Sequence, residues 1–159
     1  MEPRIIDIDE YMPMVQELLA QGKSVSLTVT GESMSPFLRH GRDQIRLEAV
    51  TTPPRRGDMV FFQRCNGQYI MHRILRHLPG GNYALIGDGQ QQVEAPIAPQ
   101  QIFAVVTQVC RKGAWIGPEA FWWRFFAGPW LWLRPVRPWV LRLYGGVSRL
   151  WKGDRHGKA

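Results

Sequence analysis

Two residues of this chain have the type and setting that acyl-transfer chemistry requires. Ser33 lies in Gly31-Glu32-Ser33-Met34-Ser35-Pro36, directly after an alternating run, where a strand must turn and expose a hydroxyl. Gly31 permits backbone conformations that a β-carbon forbids, and Pro36 biases Ser35 away from the helical region. A serine hydroxyl is a weak nucleophile until a base takes its proton. His72 is the candidate base: strand alternation over 69–75 puts it on one face with Ile70 and Ile74, opposite Tyr69, Met71, Arg73 and Leu75. Burial on that face disfavours imidazolium and leaves a lone pair to accept the proton. On these residues alone, a plain turn serine at 33 and a core histidine bonded to backbone at 72 remain open. His40, in a polar turn, His77, beside Pro79-Gly80-Gly81, and His156, near the end of the chain, have weaker settings.

Positioning Ser33 and His72 falls to short elements. Ile8, Tyr11, Met12, Val15, Leu18 and Leu19 recur at spacings of three and four, which predicts an amphipathic helix over 8–21 ending near Gly22. Over 24–30 the pattern becomes strict alternation, with Val25, Leu27 and Val29 on one face, and this predicts a half-buried strand running into the Ser33 turn. Apolar runs at 44–49, 59–64, 69–75, 83–86 and 102–109, bounded by Gly, Pro, Asp or Asn, predict further strands. None of the connections is long enough for a crossover helix, so antiparallel pairing is expected. The expected fold is a mainly β, antiparallel body with an N-terminal helix and a C-terminal amphipathic helical tail. Its expected parts are residues 1–22, 23–110 and 111–159.

Taken together, four segments in order resemble the motif boxes of the signal peptidase and LexA-like serine peptidases. They are Gly31-Glu32-Ser33-Met34-Ser35-Pro36-Phe37-Leu38, Arg56-Gly57-Asp58-Met59-Val60-Phe61, Met71-His72-Arg73-Ile74 and Ile86-Gly87-Asp88. The resemblance covers about residues 22–110. It implies a β-rich catalytic fold in which the serine of the Ser-Met-x-Pro box attacks a peptide carbonyl. Many members use lysine at the box that here reads Met71-His72-Arg73, so the likeness is to the Ser-His type, with Ser33 as nucleophile and His72 as general base. Lys23 and Lys112 lie outside the boxes, and Lys152 and Lys158 lie in the tail. Some relatives place a hydroxyl residue two positions before the nucleophile; here that residue is Gly31, which leaves the Ser33 backbone N–H as the clearest oxyanion donor. For the residue that orients His72, the resemblance points to the Gly-Asp box and therefore to Asp88, with Glu94 as the other nearby acid and a structural turn aspartate as the alternative role for Asp88. Asp58 is expected to serve a turn.

The charge is unevenly spread. Residues 1–110 carry ten Lys/Arg against eleven Asp/Glu, and residues 111–159 carry ten against two, giving −1 and +8, which sum to the formal +7. All seven tryptophans, Trp115 to Trp151, fall in the second segment. Arg124 and Arg134 bracket its longest uncharged run, too short for a spanning helix, so amphipathic helices lying in a membrane interface are expected over 115–151. A C-terminal cap on the β body is the alternative, and nucleic acid is the least suited partner. Cys65 and Cys110 have no metal-binding spacing; neither a metal nor a cofactor is expected. No basic region followed by an apolar run opens the chain, so a cytoplasmic protein, peripheral at the inner membrane face, is expected. The functional expectation is an endopeptidase that cuts a leader or precursor peptide. A LexA-like domain that cleaves only itself and a non-catalytic membrane- or partner-binding module are the alternatives.

Overall fold

The structure, a computed structural model, describes residues 8–153, with side chains described over 10–146. His156 and Lys158 lie outside the described residues, and the side chains of Trp151 and Lys152 do as well.

The helix expected near the N-terminus is α1, Ile8–Ala20, and it buries Met12, Val15 and Leu19, the stripe that a 3.6-residue period places on one face. Next come β1 (Val25–Thr28), β2 (Gln44–Ala49), β3 (Met59–Gln63), β4 (Tyr69–His77), β5 (Tyr83–Ile86), β6 (Val93–Ile97), β7 (Ile102–Arg111) and β8 (Ala114–Ile116). They form one eight-stranded antiparallel sheet in the order β1-β2-β7-β3-β4-β5-β6, with β8 paired to β7. The mainly β, antiparallel body is therefore as expected.

β3 lies centrally and is covered on both faces. Met59 and Phe61 join a core with α1, Leu47, Val106 and Val109, while Val60 and Phe62 join a second core with Ile74, Leu85 and Ile97. A strand covered on both sides reads as a continuous apolar run, which is the pattern of Met59-Val60-Phe61-Phe62. In the sheet order β1 and β4 are separated by β2, β7 and β3, yet residues of both line one groove. The sheet must therefore curl back on itself, and this curl brings Ser33 and His72 to a common wall.

Two strands were not anticipated from the sequence. β6 contains Pro96, which removes a ladder donor and is tolerated because β6 forms the edge of the sheet. β8 returns from β7 across Lys112 (φ 50°) and Gly113 (φ 84°), two left-handed residues in succession, the backbone of a tight two-residue hairpin. This hairpin carries the body's sheet past residue 110.

The tail folds as α2 (Phe121–Ala127), α3 (Pro129–Trp132) and α4 (Arg137–Gly153). Its aromatics divide into two sets. Trp123, Phe126 and Trp130 enter the core of α1 and the sheet, with the Phe126 ring 4.9 Å from that of Phe37. Phe121, Trp122, Trp132 and Trp139 stay exposed. Part of the tail is thus a cap, and the remainder presents indole and phenyl rings outward. No helix among the described residues is long and apolar enough to cross a membrane.

Candidate active site

Ser33 follows β1 in a tight turn. Gly31 adopts φ +80°, and its N–H donates to His40 Nδ1 at 2.9 Å, so His40 shapes the turn. The Ser35 N–H donates to the Glu32 carbonyl at 3.0 Å, and the Leu38 N–H to the Met34 carbonyl at 2.9 Å. Met34, Phe37 and Leu38 are buried and anchor the far side of the turn. Ser33 itself is half-buried on the wall of a groove of about 580 Å³. The walls come from 27–34 on one side and 69–72 on the other, with Phe61, Arg64 and Gln90 between them. The Ser33 N–H makes no hydrogen bond among the described residues, so it is free to donate to an oxyanion.

His72 stands on β4 opposite Val60 of β3, is buried to 1 % exposure, and has its ring centre 5.9 Å from that of Phe62. It lines the same groove as Ser33, although no hydrogen bond joins the two side chains. Its Nδ1 is buried without a hydrogen-bond partner and lies 3.6 Å from Glu94 Oε1, beyond hydrogen-bond reach. Burial pushes the imidazole down to about 4; the Glu94 charge opposes that fall and the Arg64 charge adds to it. The imidazole is therefore neutral through the ordinary physiological range, as its apolar face suggested.

Glu94 belongs to β6 and has both His72 and Arg64 as neighbours. Arg64, at the root of the β3–β4 hairpin, forks onto it, Nε to Oε2 at 3.0 Å and Nη2 to Oε1. This pairing holds the Glu94 carboxyl below its ordinary range.

Asp88 does not face His72. Its carboxylate is taken by Arg73, Nε to Oδ1 at 2.9 Å and Nη2 to Oδ2 at 2.8 Å, with both residues fully buried. The reason lies in strand alternation: Arg73 is next to His72 on β4 and therefore points to the opposite face of the sheet, where it commands the Gly-Asp box. Of the two acids that the resemblance brought forward, Asp88 is paired with Arg73 and Glu94 is the carboxylate next to the imidazole. Asp58 serves a turn, accepting from the Arg55 N–H at 2.8 Å.

The Gly-Asp segment supports the Ser33 turn directly. The Gly89 N–H donates to the Ser33 carbonyl at 2.9 Å, and a β-carbon at Gly87 would stand 2.5 Å from that same oxygen. The segment is itself held by the tail. Trp130 Nε1 donates to the Asp88 carbonyl at 2.8 Å, and the buried Arg137 donates to the Gly87 and Gln90 carbonyls, each at 3.1 Å. Sequence reasoning missed Arg64, Arg73, Trp130 and Arg137 as parts of the site. One signal was present: Arg73 alternates with Met71 and Leu75, and an arginine in a buried row requires a buried anion.

Residues 2–110 match the family model described as Peptidase S24-like. A search of the curated proteins finds no match.

Removing one member of a buried ion pair strands the other charge. Asp88→Asn should therefore cost about 3–5 kcal/mol of stability, read from urea unfolding, and the double variant Arg73→Met, Asp88→Leu should recover much of the loss. Stability should also follow the His72 proton. Between its ordinary value of 6.5 and about 4, the unfolded chain binds a proton that the folded chain refuses. Stability is thus fully present above about pH 6.5 and falls as the pH drops toward 4. The lowered Glu94 carboxyl acts in the same direction at the acid end. Urea midpoints measured across this window should fall with pH in the wild type and fall less in His72→Gln.

Proposed function

The chain belongs to the Peptidase S24-like family, and from that footing we propose that it is a serine endopeptidase which cuts a leader or precursor peptide bound along the groove. The observation that carries this reading is that Ser33, on a turn that Gly31 permits, and His72, buried and neutral, line one groove. With Nδ1 turned toward Glu94, Nε2 is the nitrogen left for Ser33. On substrate binding it accepts the Ser33 proton as Oγ attacks the scissile carbonyl, and the Ser33 N–H donates to the oxyanion. The imidazolium then protonates the leaving amine, the acyl-enzyme remains on Ser33, and His72 activates the water that releases it. Catalytic hydrogen bonds are often long in a groove without substrate and tighten in the complex, so the absence of a resting Ser33–His72 bond is compatible with this cycle.

A second part of the proposal concerns place. Trp132, Trp139 and Leu143 are 74 %, 68 % and 72 % exposed, which is costly in water for such side chains. Arginines accompany them: Arg56 lies 4.7 Å from the Trp132 ring centre and Arg142 5.7 Å from that of Trp139. With a charge of +8 over 111–159, this outer side suits an anionic bilayer surface, with indoles among headgroups and arginines on phosphates. Cys65 and Cys110 are free thiols, which suits a reducing compartment and the cytoplasmic face.

Ser33→Ala and His72→Ala should each abolish cleavage of a peptide library by at least about a thousandfold while leaving the circular dichroism spectrum unchanged. Processing retained by either variant would remove the mechanism. Fragments of the chain itself on intact-mass analysis, with no library peptide cut, would move the reading to self-cleavage. For the outer surface, sedimentation with vesicles containing phosphatidylglycerol should recover the wild type and lose the Trp132→Ala, Trp139→Ala, Leu143→Ala triple variant. Equal recovery on neutral vesicles would rule out the charge component.

A further inference from the structure

Three side chains at one end of the groove are matched unequally. Glu94 is a single carboxylate facing two potential partners: the Arg64 fork, which holds it, and His72 Nδ1, which is buried, has no hydrogen bond and lies 3.6 Å away. Arg64 is also unusual in position. It lines both the main groove and the adjoining pocket of about 300 Å³ formed with Gln90, Gln92 and Glu94, and its side chain is 34 % exposed. It is thus a guanidinium on the substrate's path, already arranged to grip a carboxylate. Apart from Arg64, the charged residue among those lining the groove is Glu32, on the Ser33 turn, so the groove carries an acid at that turn and a guanidinium at Arg64.

We infer that Arg64 is the receptor for a carboxylate of the peptide substrate, and that by pairing with it Arg64 releases Glu94 to orient His72. The inference rests on the peptidase reading above and adds to it a substrate class, peptides carrying an acidic group that reaches the hairpin end of the groove. Without substrate the one carboxylate is held by Arg64, and His72 Nδ1 has no hydrogen-bond partner. The substrate supplies a second carboxylate, and after the exchange each of these three side chains has a partner: substrate carboxylate with Arg64, Glu94 with His72 Nδ1. A neutral peptide offers Arg64 no replacement and leaves the imidazole unoriented. Arg64 is therefore both a specificity residue and a positioning residue acting through Glu94. The electrostatics agree in sign, since the Arg64 charge lowers His72 basicity and the Glu94 charge raises it; neutralising the first and freeing the second both favour proton acceptance.

The test uses the full chain and a positional-scanning peptide library in which Asp and Glu are compared with Asn and Gln, each peptide made with a free or an amidated C-terminus. The wild type should prefer the acidic member at one position by about tenfold or more in kcat/KM, the size of one charge-assisted bidentate contact. Arg64→Gln should abolish the preference, and Arg64→Lys should restore it in part. On neutral peptides, Arg64→Gln should move the acid limb of the pH–rate profile upward, a change that a merely structural arginine would not cause. If the preference follows the free C-terminus instead of a side chain, the carboxylate is terminal and the Arg64 assignment stands. No preference in the wild type, or one that survives Arg64→Gln, overturns it. A separate arm measures binding of the same acidic and amide peptides to Ser33→Ala, with and without Arg64→Gln. Should the wild type cut nothing at all, the peptidase reading falls, while this binding comparison still decides the role of Arg64 by the presence or absence of an acidic preference that the second substitution removes.

Discussion

The buried pair of Arg73 and Asp88 is the constraint on which the site is built. Two charges at zero exposure are tolerated only when their geometry is closely matched and their remaining polar atoms are satisfied. Here the fork closes on both carboxylate oxygens, and the remaining guanidinium nitrogen donates to the Gly57 carbonyl at 2.8 Å. Gly57 belongs to the second motif box, Arg73 to the third and Asp88 to the fourth. Gly89 then passes the restraint to the first through the Ser33 carbonyl. Four segments far apart in the chain are thus one hydrogen-bonded unit. The set has a physical meaning separate from any catalysis: three of the segments hold the turn that carries Ser33.

Alternation along β4 lets one strand do two jobs. His72 and Arg73 are consecutive and point to opposite faces, the first into the groove beside Phe62 and Glu94, the second to the Gly-Asp segment. A one-residue slip in the pairing of Val60 with His72 would exchange the two, placing a guanidinium in the groove and an imidazole against Asp88. The register is protected because β3 is buried on both faces and its apolar side chains belong to two separate cores.

These features explain what could be read from the sequence. Ser33 and His72 were legible because each depends on local pattern, a glycine-bearing turn after an alternating strand and a histidine between two isoleucines. The strands from β1 to β5 and β7 were legible for the same reason. Which acid lies beside His72 was not, because that depends on which face of a neighbouring strand a side chain occupies after the sheet has curled. Asp88 and Glu94 are close in sequence, yet one lies beyond the end of β5 toward Arg73 and the other on β6 beside His72. β6 itself was obscured by Pro96, and β8 was hidden in a stretch whose tryptophan and charge suggested a tail.

The tail is where composition and structure differ most, and the difference bears on how the molecule is put together. Composition described one segment, basic and aromatic from end to end. The fold divides it by depth: Trp123, Phe126, Trp130 and Arg137 are buried, and Trp132, Trp139 and Leu143 are exposed. The buried set does more than cover apolar surface, because Trp130 and Arg137 supply donors to the carbonyls of Gly87, Asp88 and Gln90, the segment that braces Ser33. Arg137 is also the first residue of α4, whose outer side carries Trp139 and Leu143. A force on that outer side therefore reaches the support of Ser33 through a helix terminus and two hydrogen bonds. Whatever the outer side contacts, the groove and the tail form one mechanical unit, and the peptidase body depends on residues well beyond the segment that carries its motifs.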